Sequence, residues 1–150
     1  MSTVKVDTIQ TTGGVSEIAI DKLKGVSSAS SISVVAEGGT TTTNLQQGIS
    51  KTWINLGTDG GSAVNRDSFN VSSIDDDGTG LFTVHHNNNM GGIYYAKTTA
   101  PFGTVSTGNM VQVIQYQDHS ASQAELNAID EGNSAYDMTS LGFTAHGDLA

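Results

Sequence analysis

Cysteine is absent from this 150-residue chain. That excludes disulfide staples, thiolate nucleophiles and cysteine-ligated metal sites, so stability has to come from a hydrophobic core or from neighbouring subunits. Basic residues are scarce: six Lys and Arg stand against fifteen Asp and Glu, and none follows Lys97. A surface with that balance repels phosphate backbones and anionic lipid, which excludes nucleic acid as a partner. No apolar run reaches the roughly 18 residues that cross a bilayer, and residues 1–10 lack the apolar stretch of a secretory signal, so membrane insertion and ordinary secretion are not expected. Helix signals are few as well.

What the chain does have is glycine, serine and threonine in abundance, with 18 glycines. Leu, Ile, Val and Phe together number 33 of 150 residues. That is just above the roughly one-fifth below which disorder becomes the default. The chain therefore affords one core, and a thin one. Thin cores in polar chains point to burial shared between copies, as in obligate oligomers.

Two regions differ in pattern. Over residues 1–43, Val4 and Val6 alternate with Lys5 and Asp7, Ile18 and Ile20 follow the Gly13-Gly14 turn, and residues 32–36 read as a third short strand. The polar stretches 25–31 and 37–43 between them have the composition of connectors. Such short strands cannot make a core alone, so residues 1–43 are expected to form an extended attachment arm and linker, with Val4, Val6, Ile9, Ile18 and Ile20 as the candidate anchor.

From Asn44 to Ala150 the pattern is short strands between turns, the mark of an antiparallel sandwich or barrel. Strands are expected over 53–56, 68–74, 81–86, 93–97, 110–117 and 141–146. In the last of these Leu141, Phe143 and Ala145 share a face. In 81–86, Phe82, Val84 and His86 oppose Leu81, Thr83 and His85. The turn at Asp75-Asp-Asp-Gly-Thr-Gly80 joins two of these strands into a hairpin, because glycine accepts positive φ without steric cost. Residues 120–130 break the pattern: a leading Ser120, helix-favouring residues and Leu126 three positions before Ile129 predict a short helix, with an irregular loop as the alternative.

Candidate chemistry is sparse. Asp75, Asp76 and Asp77 before Gly78 suggest a calcium loop, but the twelfth position that should be Glu is His86, so an acidic hairpin tip is the better account. His85 and His86 are adjacent and point to opposite faces of a strand, so one chain cannot bring both to one metal. His119 and His146 stand alone. No nucleophile elbow, phosphate loop or zinc-protease histidine pair occurs. The expectation is a non-enzyme without cofactor or metal; a glycan-cleaving carboxylate pair remains the enzyme alternative. Trp53, the only tryptophan, is expected in the core. Of Tyr94 and Tyr95 one should face outward, and together with Asn87, Asn88 and Asn89 they are the candidate ligand contacts, since loops on a rigid scaffold carry most binding. Residues 103–109 form a second polar loop of the same kind.

Several segments carry a resemblance: residues 1–10 (Met1-Ser-Thr-Val-Lys-Val-Asp-Thr-Ile-Gln10), 44–53 (Asn44-Leu-Gln-Gln-Gly-Ile-Ser-Lys-Thr-Trp53), Asp67-Ser-Phe-Asn-Val-Ser-Ser-Ile74 with Gly78-Thr-Gly80 and Phe82-Thr-Val84, and the closing His146-Gly-Asp-Leu-Ala150. In order and spacing they resemble fibre-like virion structural proteins of tailed bacteriophages, particularly those of marine bacteria. The resemblance implies a virion location, a homotrimer, an N-terminal segment docked on other tail or capsid proteins, and an all-β, jelly-roll-like antiparallel β-sandwich head at 44–150 that attaches to the host surface, with a surface glycan as the partner. The chain departs from that pattern in its shortness, in lacking a long shaft, and in the inserted segment around 120–134. A fibre stub, or an architectural decoration of capsid or tail, is the competing expectation.

Overall fold

The computed structural model describes residues 21–24, 32–35, 39–59, 62–102, 112–115, 119–130 and 132–149. The candidate anchor residues Val4, Val6, Ile9, Ile18 and Ile20, the loop 103–109 and Tyr116 lie outside them. The elements are β1 (Ser33–Val35), β2 (Thr42–Asn44), a single helical turn α1 (Leu45–Gly48), β3 (Ser50–Asp59), β4 (Ser62–Phe69), β5 (Val71–Gly78), β6 (Leu81–His86), β7 (Ala96–Phe102), β8 (Gln112–Gln115), β9 (Gln123–Ile129) and β10 (Ser140–His146). The fold is all-β. β1 and β2 form a small ribbon, and eight strands form two antiparallel sheets ordered β4-β3-β10-β7 and β5-β6-β9-β8.

Period-two alternation builds the core. Ile54 and Leu56 of β3 and Leu141, Phe143 and Ala145 of β10 point inward from the first sheet. Phe82 and Val84 of β6 and Ala124, Leu126 and Ala128 of β9 join them in one cluster from the second. Fully burying a side chain such as Leu126 or Phe143 stabilises the fold by about 1.5–3 kcal/mol. The expected hairpin is present, but its turn is tighter than 75–80: Asp75, Asp76 and Asp77 lie within β5, which pairs with β6, and the chain turns at Thr79 and Gly80, with Gly80 at φ 71°. A Cβ on Gly80 would run into the Ala128 carbonyl oxygen and come within 2.8 Å of the Tyr136 amide nitrogen, so this turn admits only glycine. The strands at 81–86 and 141–146 also form, and 53–56 lies within the longer β3.

Five expectations need correction. Residues 120–130 are not a helix. Gln123–Ile129 is a strand between β6 and β8, with Ala124, Leu126 and Ala128 buried on one face. Ser120 does not cap a helix; its hydroxyl receives the Ser122 amide at 3.2 Å in a tight turn that leads into the strand. Second, 68–74 is two strands. Asn70 at φ 59° ends β4 in the first sheet and starts β5 in the second, a conformation asparagine tolerates better than most residues. Third, Trp53 is outside the core, at 37% exposure, because Ile54 and Leu56 take the inward face of β3. Fourth, β7 starts at Ala96, so Tyr94 and Tyr95 belong to the connection before it. Fifth, the winding is not that of a jelly roll. β3 and β4 are neighbours in one sheet and β5 and β6 in the other, whereas a jelly roll sends most consecutive strands to opposite sheets.

Candidate recognition surface

All five candidate ligand contacts lie on one connection, residues 87–95, which leads from β6 in the second sheet to β7 in the first. It carries almost no regular structure, yet its backbone is tied at several points. The Asn87 amide donates to the Asn70 carbonyl (3.0 Å), the Met90 amide to the Ala121 carbonyl (2.8 Å) and the Gly91 amide to the Asp148 carbonyl (2.7 Å). Met90 is buried and bridges to Leu149. Side chains add to this. The Asn70 carboxamide oxygen receives the Asn88 amide (2.7 Å) and the Asn88 side-chain nitrogen (3.0 Å), and Asn70 Nδ2 donates to the Asn88 carbonyl (3.0 Å). An irregular segment held this way presents side chains at low entropic cost.

Tyr94 and Tyr95 face opposite ways. Tyr94 is 96% exposed, and Tyr95 is buried. The Tyr95 hydroxyl donates to the carbonyls of Gln123 (3.1 Å) and Ser120 (3.3 Å), its ring meets those of His86 and His119 edge-on, and Lys97 Nζ lies 4.7 Å from its centroid. Burial pushes its phenol up to about 12. Tyr95 is thus a strut of the surface, while Tyr94 offers its ring to solvent. Between them opens a cleft of about 210 Å³ lined by Gly91, Gly92, Tyr94, Tyr95 and Asp148. Asn87, Asn88 and Asn89 are exposed beside it in the chain.

Under the connection lies a buried polar chain. Asn70 Nδ2 lies 3.2 Å from Thr52 Oγ1, Thr52 Oγ1 lies 3.2 Å from His86 Nδ1, and His86 Nε2 lies 3.5 Å from the Tyr95 hydroxyl. Desolvation lowers the pKa of His86, helped by the nearby His85 and Lys97. Lys51, also buried, is lowered by desolvation, with the Asp148 carboxylate opposing.

The other candidates are structural. His85 and His86 do face opposite ways: His85 Nε2 meets Asp75 Oδ2 at 2.8 Å on the exposed side. Asp76 Oδ2 receives the Ala63 amide at 3.0 Å, which ties β5 to β4, and Asp77 Oδ2 receives the Thr83 hydroxyl at 2.6 Å. The three β5 carboxylates are therefore committed to contacts within the fold. Among the described residues no three His, Asp or Glu side chains converge as a metal site would require. Sequence reasoning did not reach Thr52, Asn70, Gly91, Gly92 or Asp148. Only Asn70 left a local trace, as a turn-forming residue between two strand-like stretches.

No family model, no curated protein and no solved structure matches this chain.

Proposed function

We propose that the protein is a structural component of a tailed-phage virion, a short fibre-like homotrimer whose residues 1–43 attach it to other tail or capsid proteins and whose β-sandwich head at 44–150 faces outward and contacts the host surface. The observation that carries the contact role is Tyr94: a ring 96% exposed, on a segment tied down by backbone and Asn70 hydrogen bonds, beside a cleft of about 210 Å³. Exposed aromatics on braced loops are what recognition surfaces use, because they supply contact area with few torsions to freeze. A sugar ring fits that chemistry. Its apolar face stacks on Tyr94, and its hydroxyls bond to the Asp148 carboxylate.

A specific observation favours the second reading, an architectural decoration. Trp53 and Phe69 are directly paired across β3 and β4, and both are exposed on the outer face of the first sheet. An aromatic pair there suits contact with another subunit.

Binding of the intact protein to host cells and to a glycan array separates the two. For attachment, binding is expected, with Tyr94→Ala weakening it about fivefold through the loss of about 1 kcal/mol of stacking. Gly92→Val should act likewise by filling the cleft, since a Cβ on Gly92 meets nothing within 4 Å and leaves the fold alone. Binding that ignores both variants removes the site. No binding, with normal incorporation into particles, favours decoration. Turnover of surface polysaccharide would make the protein an enzyme.

A further inference from the structure

The hydrogen bonds around His86 run in one direction only. Tyr95 has a single hydroxyl hydrogen, and the Gln123 and Ser120 carbonyls take it at 3.1 and 3.3 Å. Towards His86 Nε2 the tyrosine oxygen can then only accept, so Nε2 carries the ring hydrogen. Nδ1 is left bare, and the Thr52 hydroxyl donates to it while receiving Asn70 Nδ2. Partners on both ring nitrogens thus select the neutral Nε2–H tautomer. The chain Asn70 to Thr52 to His86 to Tyr95 to the Gln123 carbonyl links the β4–β5 join, β3, the end of β6 and the start of β9.

A proton on Nδ1 reverses one link. Two donors, Nδ1–H and Asn70 Nδ2–H, would then face Thr52 Oγ1, and the threonine hydrogen would lose its acceptor. The new charge would be buried, with His86 only 6% exposed. Among the described residues, the charged and titratable groups around it give no counter-ion. His85 precedes it on β6 with its ring committed to Asp75, Lys97 on β7 stands over Tyr95, His119 touches Tyr95 edge-on, and Lys51 beside Thr52 on β3 interacts with Asp148. Asn70 is the shared member: the same carboxamide that feeds Thr52 holds the Asn88 backbone.

We propose that His86 is an acid-sensitive latch for the 87–95 connection: its neutral ring keeps Asn70 and Tyr95 in place, and a second ring proton releases the segment that presents Tyr94. The consequence for attachment rests on the reading of that segment as the contact surface; the latch itself does not depend on what the segment binds.

Amide exchange on the intact protein tests it. Between about pH 7.5 and about pH 5, protection factors, corrected for intrinsic exchange, should fall at least tenfold at Asn87, Asn88, Met90 and Gly91 relative to Leu141 and Phe143 in the core. No fall, or an equal fall in the core, overturns the latch. His86→Gln cannot titrate, so its loop protection should be flat over the same range; a persisting pH dependence overturns the proposal. Should that variant fail to fold, nitrogen-resolved spectra of the wild-type ring decide. They should show Nε2–H alone at neutral pH and protonation below the ordinary histidine value of 6.5; an Nδ1–H tautomer, or titration at or above that value, overturns it. A flat exchange profile in a protein whose host binding needs Tyr94 removes the latch alone. An opening latch in a protein that binds no host material removes only the contact reading.

Discussion

Tyr94 and Tyr95 are neighbours with identical side chains, and their environments separate them completely. Burial among His86, His119 and Lys97 turns Tyr95 into a hydrogen-bond donor to two carbonyls and raises its pKa to about 12, while Tyr94 keeps both ring faces in water. A consequence for alkaline stability follows from the sign of that shift. An unfolded tyrosine ionises near 10, and the folded one holds its proton to about 12, so only the unfolded state gains charge between those values. Stability from this group is complete below pH 10 and is lost as pH rises towards 12. Urea midpoints for the wild type should fall over that window, and Tyr95→Phe, which cannot ionise, should show a shallower fall from a lower starting stability. That one of the two tyrosines faces outward is legible from the chain, since neighbours on an extended backbone alternate. Which one does so depends on the carbonyls of Ser120 and Gln123, some 25 residues away in sequence.

At the scale of elements, strands were legible wherever apolar residues alternated beside a glycine turn, as in β6 and β10. They were misread where local preference and tertiary demand disagreed. Residues 123–129 combine Ala, Gln, Glu and Leu, all good helix formers, yet the space between β6 and β8 buries Ala124, Leu126 and Ala128 and makes the segment a strand. The join between β4 and β5 shows the same competition. Continuous β-branched and polar alternation suggests one strand, but Asn70 in the left-handed region redirects the chain from one sheet to the other. Two substitutions separate its conformational role from its bonding role. Asn70→Gly and Asn70→Ala both lose the bonds to Thr52 and Asn88, but only alanine meets the steric penalty of positive φ. Alanine should therefore be less stable than glycine by about 1 kcal/mol in urea unfolding. Equal stabilities would mean that position 70 relaxes out of the left-handed region.

For the whole molecule, the largest residue lies outside the core, against the expectation from sequence. Trp53 stands on the outer face of the first sheet, paired with Phe69, and Val34 and Val35 of β1 and Ile49 are exposed as well. As the single tryptophan, Trp53 reports on that face directly. In the lone chain its emission should be that of a partly solvated indole, open to acrylamide. In a trimer or on a particle that uses the face, quenching should drop severalfold, and Trp53→Ser with Phe69→Ser should lower assembly while costing the isolated fold under about 1 kcal/mol. Unchanged quenching in the assembled state would show that the face stays wet. Composition and periodicity by themselves determined that this chain is all-β, acidic, free of thiol chemistry, and folded back in a glycine hairpin between the strands that form β5 and β6, because those properties depend on residue counts and on neighbours in sequence. Only the tertiary structure decided that Asn70 separates two sheets, that Trp53 lies outside, and that Thr52, His86, Tyr95 and Asp148 gather around one connection. Such groupings arise from strands far apart in the chain packing face to face, and no local pattern encodes which distant side chains will share a buried space.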